Sequence, residues 1–256
     1  MRRRPRLRPG PRRAGLRAMP SLADELDLSL DLIARAHSVP VPDDETALRL
    51  MTDEELRPGL DQIIADRTGG DDLWVFAYGS LMWRPEFAYA ESRLGTVRGF
   101  HRRFCLLQRR FRGTPERPGF VLALDRGGLC RGVAFRLAGT DLRETLMPVW
   151  RREMRGMGYV ARWLPVETES GTVSALTFLA NRASDRYSGR LSDAEIADKI
   201  AAACGHIGPS AEYLFRTVRA CAELGIRDRH LWSLQKLVAE RLRDCLPEEV
   251  VRSRSA

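Results

Sequence analysis

The stretch Leu73-Trp74-Val75-Phe76-Ala77-Tyr78 runs apolar without interruption and then halts at Tyr78-Gly79-Ser80. A continuous apolar run of this length reads as a strand buried on both faces. Gly79 allows the chain a sharp or left-handed turn. A strand that stops at a Gly-Ser turn leaves main-chain N–H groups without ladder partners, and such donors hold a carboxylate or a developing oxyanion. The same residues also describe a buried strand closed by an ordinary turn.

Other reactive residue types narrow the chemistry. Ser80 is a poor nucleophile: Tyr78 stands where a GxSxG elbow carries its first glycine, and no histidine is an evident partner. Its hydroxyl reads better as a hydrogen-bonding group. Cys105, inside the strand-like RRFCLL, reads as packed rather than reactive. Cys105, Cys130, Cys204, Cys221 and Cys245 form no CxxC pair, and His37, His101, His206 and His230 have no HxxxH spacing. No zinc site is expected. Glu153 lies among Arg151, Arg152 and Arg155 and by itself reads as a solvated ion-pair partner.

The elements that must position these residues follow from periodicity. Leu22, Leu26, Leu30 and Ile33 predict a helix over residues 20–38, and Thr52 with Glu55 places a capping box at the start of a second. After TGGDD the pattern changes to strands. Residues 120–137 read as two β-rich runs joined in a hairpin at Asp125-Arg126-Gly127-Gly128, and residues 160–180 as a hairpin turning at TESG. Between them TDLRETLMPVWRREMRG reads as a helix broken by Pro148. Beyond Asn181 three helices are predicted. The first has a Ser192–Glu195 capping box and a stop at Gly205, the second runs from Pro209-Ser210 to Gly225, and the third carries an apolar stripe expected to pack on the sheet. The pattern gives an α+β domain over residues 71–246 and a helical N-terminal extension over 19–70, with tails at 1–18 and 247–256.

The formal charge of +8 is confined to one end. Residues 1–17 hold eight arginines and no acid, and in the remainder basic and acidic residues balance. Such a Pro/Arg-rich tail buries no apolar surface and is expected to be disordered. It reads as a solvated appendage, an address peptide, an electrostatic anchor or a stretch ahead of a start at Met19. Nucleic acid is expected only as a nonspecific tail contact. No apolar run approaches the roughly 20 residues of a membrane-spanning helix. The unpaired cysteines and the lack of a secretory apolar stretch predict a cytoplasmic protein. Oligomeric state is left open.

Several blocks, in order, carry a resemblance: VFAYGSLMWRPEF, GFHRRFCL followed by RPGFVLAL, GVAFRL, VWRREMRGMGY and GPSAEYLF. Over about residues 72–245 the chain resembles the ChaC-type γ-glutamylcyclotransferases. The resemblance implies a mixed fold around a curved or barrel-like sheet flanked by helices. It implies cleavage of glutathione into 5-oxoproline and cysteinylglycine, with neither metal nor organic cofactor. It maps the substrate loop to Ala77, Tyr78, Gly79, Ser80, Leu81 and Met82, the acid/base carboxylate to Glu153, and a substrate contact to Tyr213. Tyr213, near Phe215 and Val218, also reads as a core residue. Ala77 departs from the family, in which many members have glycine. Other γ-glutamyl amines or dipeptides are alternative substrates, and an inactive γ-glutamyl-binding module is a further alternative.

Overall fold

Trp74–Ala77 forms strand β1, and its side chains alternate between two cores. Trp74, Phe76 and Tyr78 enter one; Leu73, Val75 and Ala77 enter the other. The uninterrupted apolar run is therefore a period-2 strand with no solvent face. The computed structural model describes residues 22–37, 39, 41–67, 72–139 and 141–246. The expected tails at 1–18 and 247–256 lie outside the described residues.

Four further strands, β2 (Tyr89–Gln108), β3 (Gly119–Leu137), β4 (Tyr159–Thr168) and β5 (Gly171–Ala180), complete a closed barrel in the order β1-β3-β2-β4-β5. The β1–β5 pairing that closes it is parallel; the other neighbours run antiparallel. The β4–β5 hairpin turns at Glu169-Ser170, as its sequence predicts.

The hairpin expected at Asp125-Arg126-Gly127-Gly128 does not form. Both halves of 120–137 pair with β2 as one long strand. Gly127 and Gly128, at φ 103° and 69°, lie opposite Gly99 at φ 82°, where the register shifts. Positive-φ glycines serve a reversal or a bulge equally well, and here the long complementary β2 makes them a bulge that bends both strands together.

Helix α1 (Leu30–Ala36) begins at Ser29, whose hydroxyl accepts from Leu32 N–H; Leu22–Glu25 ahead of it is a separate 3₁₀ turn, so the single predicted helix is split at this cap. Helix α2 (Asp53–Ala65) carries the Thr52–Glu55 capping box. Helix α3 (Leu142–Met154) runs through Pro148 unbroken, held to the barrel by buried Leu146, Val149 and Trp150. That burial offsets the missing Pro148 donor. Helix α4 (Asp193–Ala202) is capped by Ser192 and Glu195 but ends before Gly205, which lies in the short strand β6 (Cys204–Gly205) paired to β7 (Gly208–Pro209). Helix α5 (Ser210–Glu223) stops at Gly225, φ 66°. Helix α6 (Arg229–Asp244) finds its main partner in α4, with α5 and α1 beside it, rather than on the sheet.

One core joins the barrel to α1, α4, α5 and α6; the other joins it to α2 and α3. The N-terminal segment belongs to both. Trp150 Nε1 donates to Leu56 O at 3.1 Å and Trp163 Nε1 to Ile63 O at 2.7 Å, which fixes α2 on α3 and β4. Leu28 N–H donates to Gln235 Oε1 at 2.9 Å. Leu60 of α2 is fully buried, so Leu60→Ala is expected to cost about 2–5 kcal/mol in urea unfolding. The loss should appear in a single transition followed by tryptophan fluorescence. A separate early transition would show that α2 unfolds independently of the barrel.

Candidate active site

After β1 the chain turns at Tyr78-Gly79 into a 3₁₀ turn, Ser80–Met82. Two buried groups fix the turn. The Tyr78 hydroxyl donates to Phe178 O, and the Tyr78 carbonyl accepts from Arg102 Nε at 2.6 Å. Arg102 is itself buried, donating also to Arg131 O and, at 3.2 Å, to Asp228, the N-cap of α6. A buried guanidinium needs such partners on every side.

Gly79 has φ −131°, so it is not the left-handed residue the sequence allowed. Its requirement is space: a Cβ here would meet the Tyr213 hydroxyl at 3.0 Å. The carbonyls of Gly79 and Ser80 accept from Met82, Trp83 and Arg84 N–H. Among the described residues the N–H groups of Gly79, Ser80 and Leu81 find no acceptor within the chain. The turn thus carries unspent donors, the feature its sequence suggested.

Glu153 reaches the same place from the last turn of α3. Its carboxyl joins Tyr78, Gly79, Ser80, Leu81, Leu122, Tyr159, Phe178 and Tyr213 around a small recess. The recess adjoins a cleft of about 420 Å³ that shares Ser80, Glu153, Tyr159 and Tyr213. The Glu153 side chain is only 11% exposed, and burial pushes its pKa above the usual carboxylate range. The Arg152 guanidinium opposes that shift, with Nε 3.2 Å from Glu153 Oε1. Helical geometry alone directs Arg152 away from its neighbour. The long side chain instead folds back, donating to Ser80 Oγ at 2.8 Å and Glu86 Oε2 at 2.8 Å. One cation therefore ties the turn to the carboxylate.

Two tyrosines complete the wall. Tyr159 OH donates to Leu122 O at 2.8 Å, and burial, with the nearby Glu153 charge, raises its pKa. Tyr213 on α5 is buried edge-on to Trp83 and Phe104, and burial pushes it up to about 12. Both remain protonated hydroxyls at neutral pH. Ala77 and Met82 stand outside the recess wall: Ala77 packs in the α2–α3 core, and Met82 Sδ lies 3.9 Å from Arg102 Nη2. Cys105 is fully buried and its thiol is pushed up to about 12, which keeps it protonated.

Several cleft residues had no signal in the sequence. Arg186 is buried and donates to Leu107 O at 3.0 Å and Gly156 O at 2.9 Å; a Cβ on Gly156 would lie 2.5 Å from its Nη1. Arg84, Arg112 and Arg155 also line the cleft, and its arginines outnumber its glutamates, Glu86 and Glu153. Leu48 and Leu50 reach it from the N-terminal segment. These come from five separate parts of the chain, so no local motif marks them. Among the described residues no group of three or more His, Cys, Asp or Glu side chains is arranged to hold a metal ion. Nor is any helix there long and apolar enough to cross a membrane.

Known proteins share this chain's sequence pattern and fold. The glutathione-specific γ-glutamylcyclotransferase of Escherichia coli is 37% identical over 204 residues, covering 79% of this chain and 88% of that protein. The human glutathione-specific γ-glutamylcyclotransferase 1 is 34% identical over 192 residues, covering 72% and 86%. A crystal structure of a yeast γ-glutamylcyclotransferase specific to glutathione superposes with a TM-score of 0.60 at 22% identity, covering 67% of this chain and 97% of that one, which shows a shared fold. The model of the family described as ChaC-like protein matches residues 73–241, a span that holds β1, the Tyr78-Gly79-Ser80 turn, Glu153 and Tyr213, and the chain belongs to that family.

Proposed function

We propose that this enzyme cleaves glutathione into 5-oxoproline and cysteinylglycine, with Glu153 as the proton carrier. The observation that carries this reading is the buried Glu153 carboxyl beside a turn with three unspent N–H donors. The names of the relatives support the same substrate. An arginine-rich cleft suits a tripeptide that carries two carboxylates.

The γ-glutamyl unit supplies its own nucleophile, the α-amine, and its own electrophile, the γ-amide carbon. Curling the unit makes the attack intramolecular, which is worth roughly 7–11 kcal/mol when the geometry is right. Glu153 takes a proton from the α-ammonium, the free amine attacks the γ-carbon, and negative charge develops on the γ-oxygen. The N–H groups of Gly79, Ser80 and Leu81 face that charge or the α-carboxylate; one good oxyanion donor contributes about 2.7–4 kcal/mol. Glu153 then returns its proton to the cysteinyl nitrogen as the old C–N bond breaks, and the second proton of the ring nitrogen passes by way of Glu153 to the same amine, which leaves as an ammonium. The products together contain every atom of glutathione, so no water is consumed. Tyr159 and Tyr213 line both the recess and the cleft and offer neutral hydroxyls. Five unpaired cysteines suit a reducing compartment, and we place the enzyme in the cytoplasm.

Mass spectrometry of the purified protein with glutathione is expected to detect 5-oxoproline and cysteinylglycine without added metal. Glu153→Gln is expected to lower kcat by about 10²–10⁴-fold, and equal turnover would remove Glu153 from the reaction. The pH profile gives a second check. A base must be ionised, so kcat falls as pH drops through the raised Glu153 value, and the acid limb should lie above the ordinary glutamate range. Arg152 favours the ionised form; Arg152→Gln is therefore expected to move that limb to still higher pH. A limb that stays in place would show that Arg152 has no hold on the carboxylate.

A further inference from the structure

The segment between α1 and α2 lies before the span matched to the ChaC-like family, yet it forms one wall of the cleft. It is pinned at both ends. At the outer end Asp43 takes both Arg110 Nε and Nη2 at 2.8 Å and lies 2.9 Å from His206 Nδ1, while Glu45 approaches the same guanidinium at 3.6 Å. At the inner end Met51 N–H donates to Arg155 O at 3.0 Å and Asp53 pairs with Arg151. Asp44 caps a 3₁₀ turn, Glu45–Ala47, between the two.

Past that turn the chain is extended, and side chains alternate in direction. Arg49 points outward to Glu55, while Leu48 and Leu50 line the cleft, half-buried. Phe111 and Ile207 line it as well, and Ile207 is 50% exposed. With Trp83 and Val121 these apolar side chains border a cleft whose charged groups are arginines and glutamates. An exposed apolar face with a polar rim in a concave cleft is the usual form of a ligand-binding wall.

We propose that residues 43–53 form a specificity strap, with Leu48 and Leu50 receiving the side chain of the residue joined to the γ-glutamyl unit. The assignment rests on the cyclotransferase reading and adds to it a determinant of substrate class: γ-glutamyl amides whose leaving residue carries a small apolar or thiol side chain. Glu153 and the turn act on the γ-glutamyl unit, common to all such substrates. The strap acts on the part that differs.

Two tripeptides separate these roles: glutathione and γ-Glu-Gly-Gly, which lacks only the cysteine side chain. The unaltered enzyme is expected to favour glutathione in kcat/KM by about tenfold or more, the discrimination typical of one small apolar group. Leu48→Ala with Leu50→Ala is expected to bring that ratio near one, through a KM raised far more for glutathione than for γ-Glu-Gly-Gly. Asp43→Ala lies outside the cleft and releases the strap's outer end; it should lower the ratio in the same direction, which covers the case of a misfolded double variant. Equal losses on both substrates would reduce the strap to a structural role and overturn the assignment, as would a ratio untouched by either variant. An enzyme that cyclises both tripeptides without preference refutes the strap alone. One that cyclises neither refutes the cyclotransferase reading first, and the strap with it.

Discussion

A carboxyl group taken out of water and left without a full ion pair is the constraint on which this protein turns. Burial disfavours the charged form of Glu153, and Arg152 restores part of what burial removes. The balance keeps the group between two fates. For the proposed proton carrier, a fully solvated glutamate would be too weak a base to help an ammonium lose its proton, and one locked in a tight bidentate pair would be too reluctant to accept it. A single 3.2 Å contact from Arg152, whose other donors go to Ser80 and Glu86, leaves the carboxylate partly free.

The barrel holds that carboxyl against one turn of main chain. Glu153 is delivered by α3, the turn by β1, Tyr159 by β4 and Tyr213 by α5. Each is anchored by buried interactions rather than by surface contacts. Arg102 ties the turn's carbonyl to β3 and to the cap of α6, and the hydroxyl of Tyr78 ties its side chain to β5. The Tyr213 hydroxyl would lie only 3.0 Å from a β-carbon on Gly79, a tight approach. Positions fixed by close packing tolerate little drift, which a proton transfer over hydrogen-bond distance requires.

The N-terminal segment extends the same logic outward. Its helix α2 adds Leu56, Leu60 and Ile63 to a core shared with α3, the helix that carries Glu153. Its Leu48 and Leu50 then border the cleft that adjoins the recess of Glu153. In the proposed scheme, chemistry on the invariant γ-glutamyl unit and selection of the attached residue fall to different parts of the chain. They meet at α3, whose Arg151 and Arg155 carbonyl hold the segment in place.

By itself the sequence determined what depends on neighbours along the chain. The apolar run before Tyr78, the capping boxes at Thr52–Glu55 and Ser192–Glu195, and the 160–180 hairpin are local interactions, and periodicity exposes them. The ordered blocks from VFAYGSL to GPSAEYL marked the family, and through it Glu153 as the carboxylate to examine. Tertiary structure decided the outcome at the sites with several local options. Gly127-Gly128 fits a turn or a bulge, and only the length of β2 made it a bulge. Pro148 breaks an isolated helix but not one whose Trp150 and Val149 are buried on a barrel. Arg152, three methylenes long, is free to reach back or away, and Ser80 and Glu86, 66 to 72 residues distant, settled its direction. The depth of Glu153's burial and the strap's place at the cleft were invisible for the same reason: both are contacts between segments far apart in sequence, which the chain specifies only once it has folded.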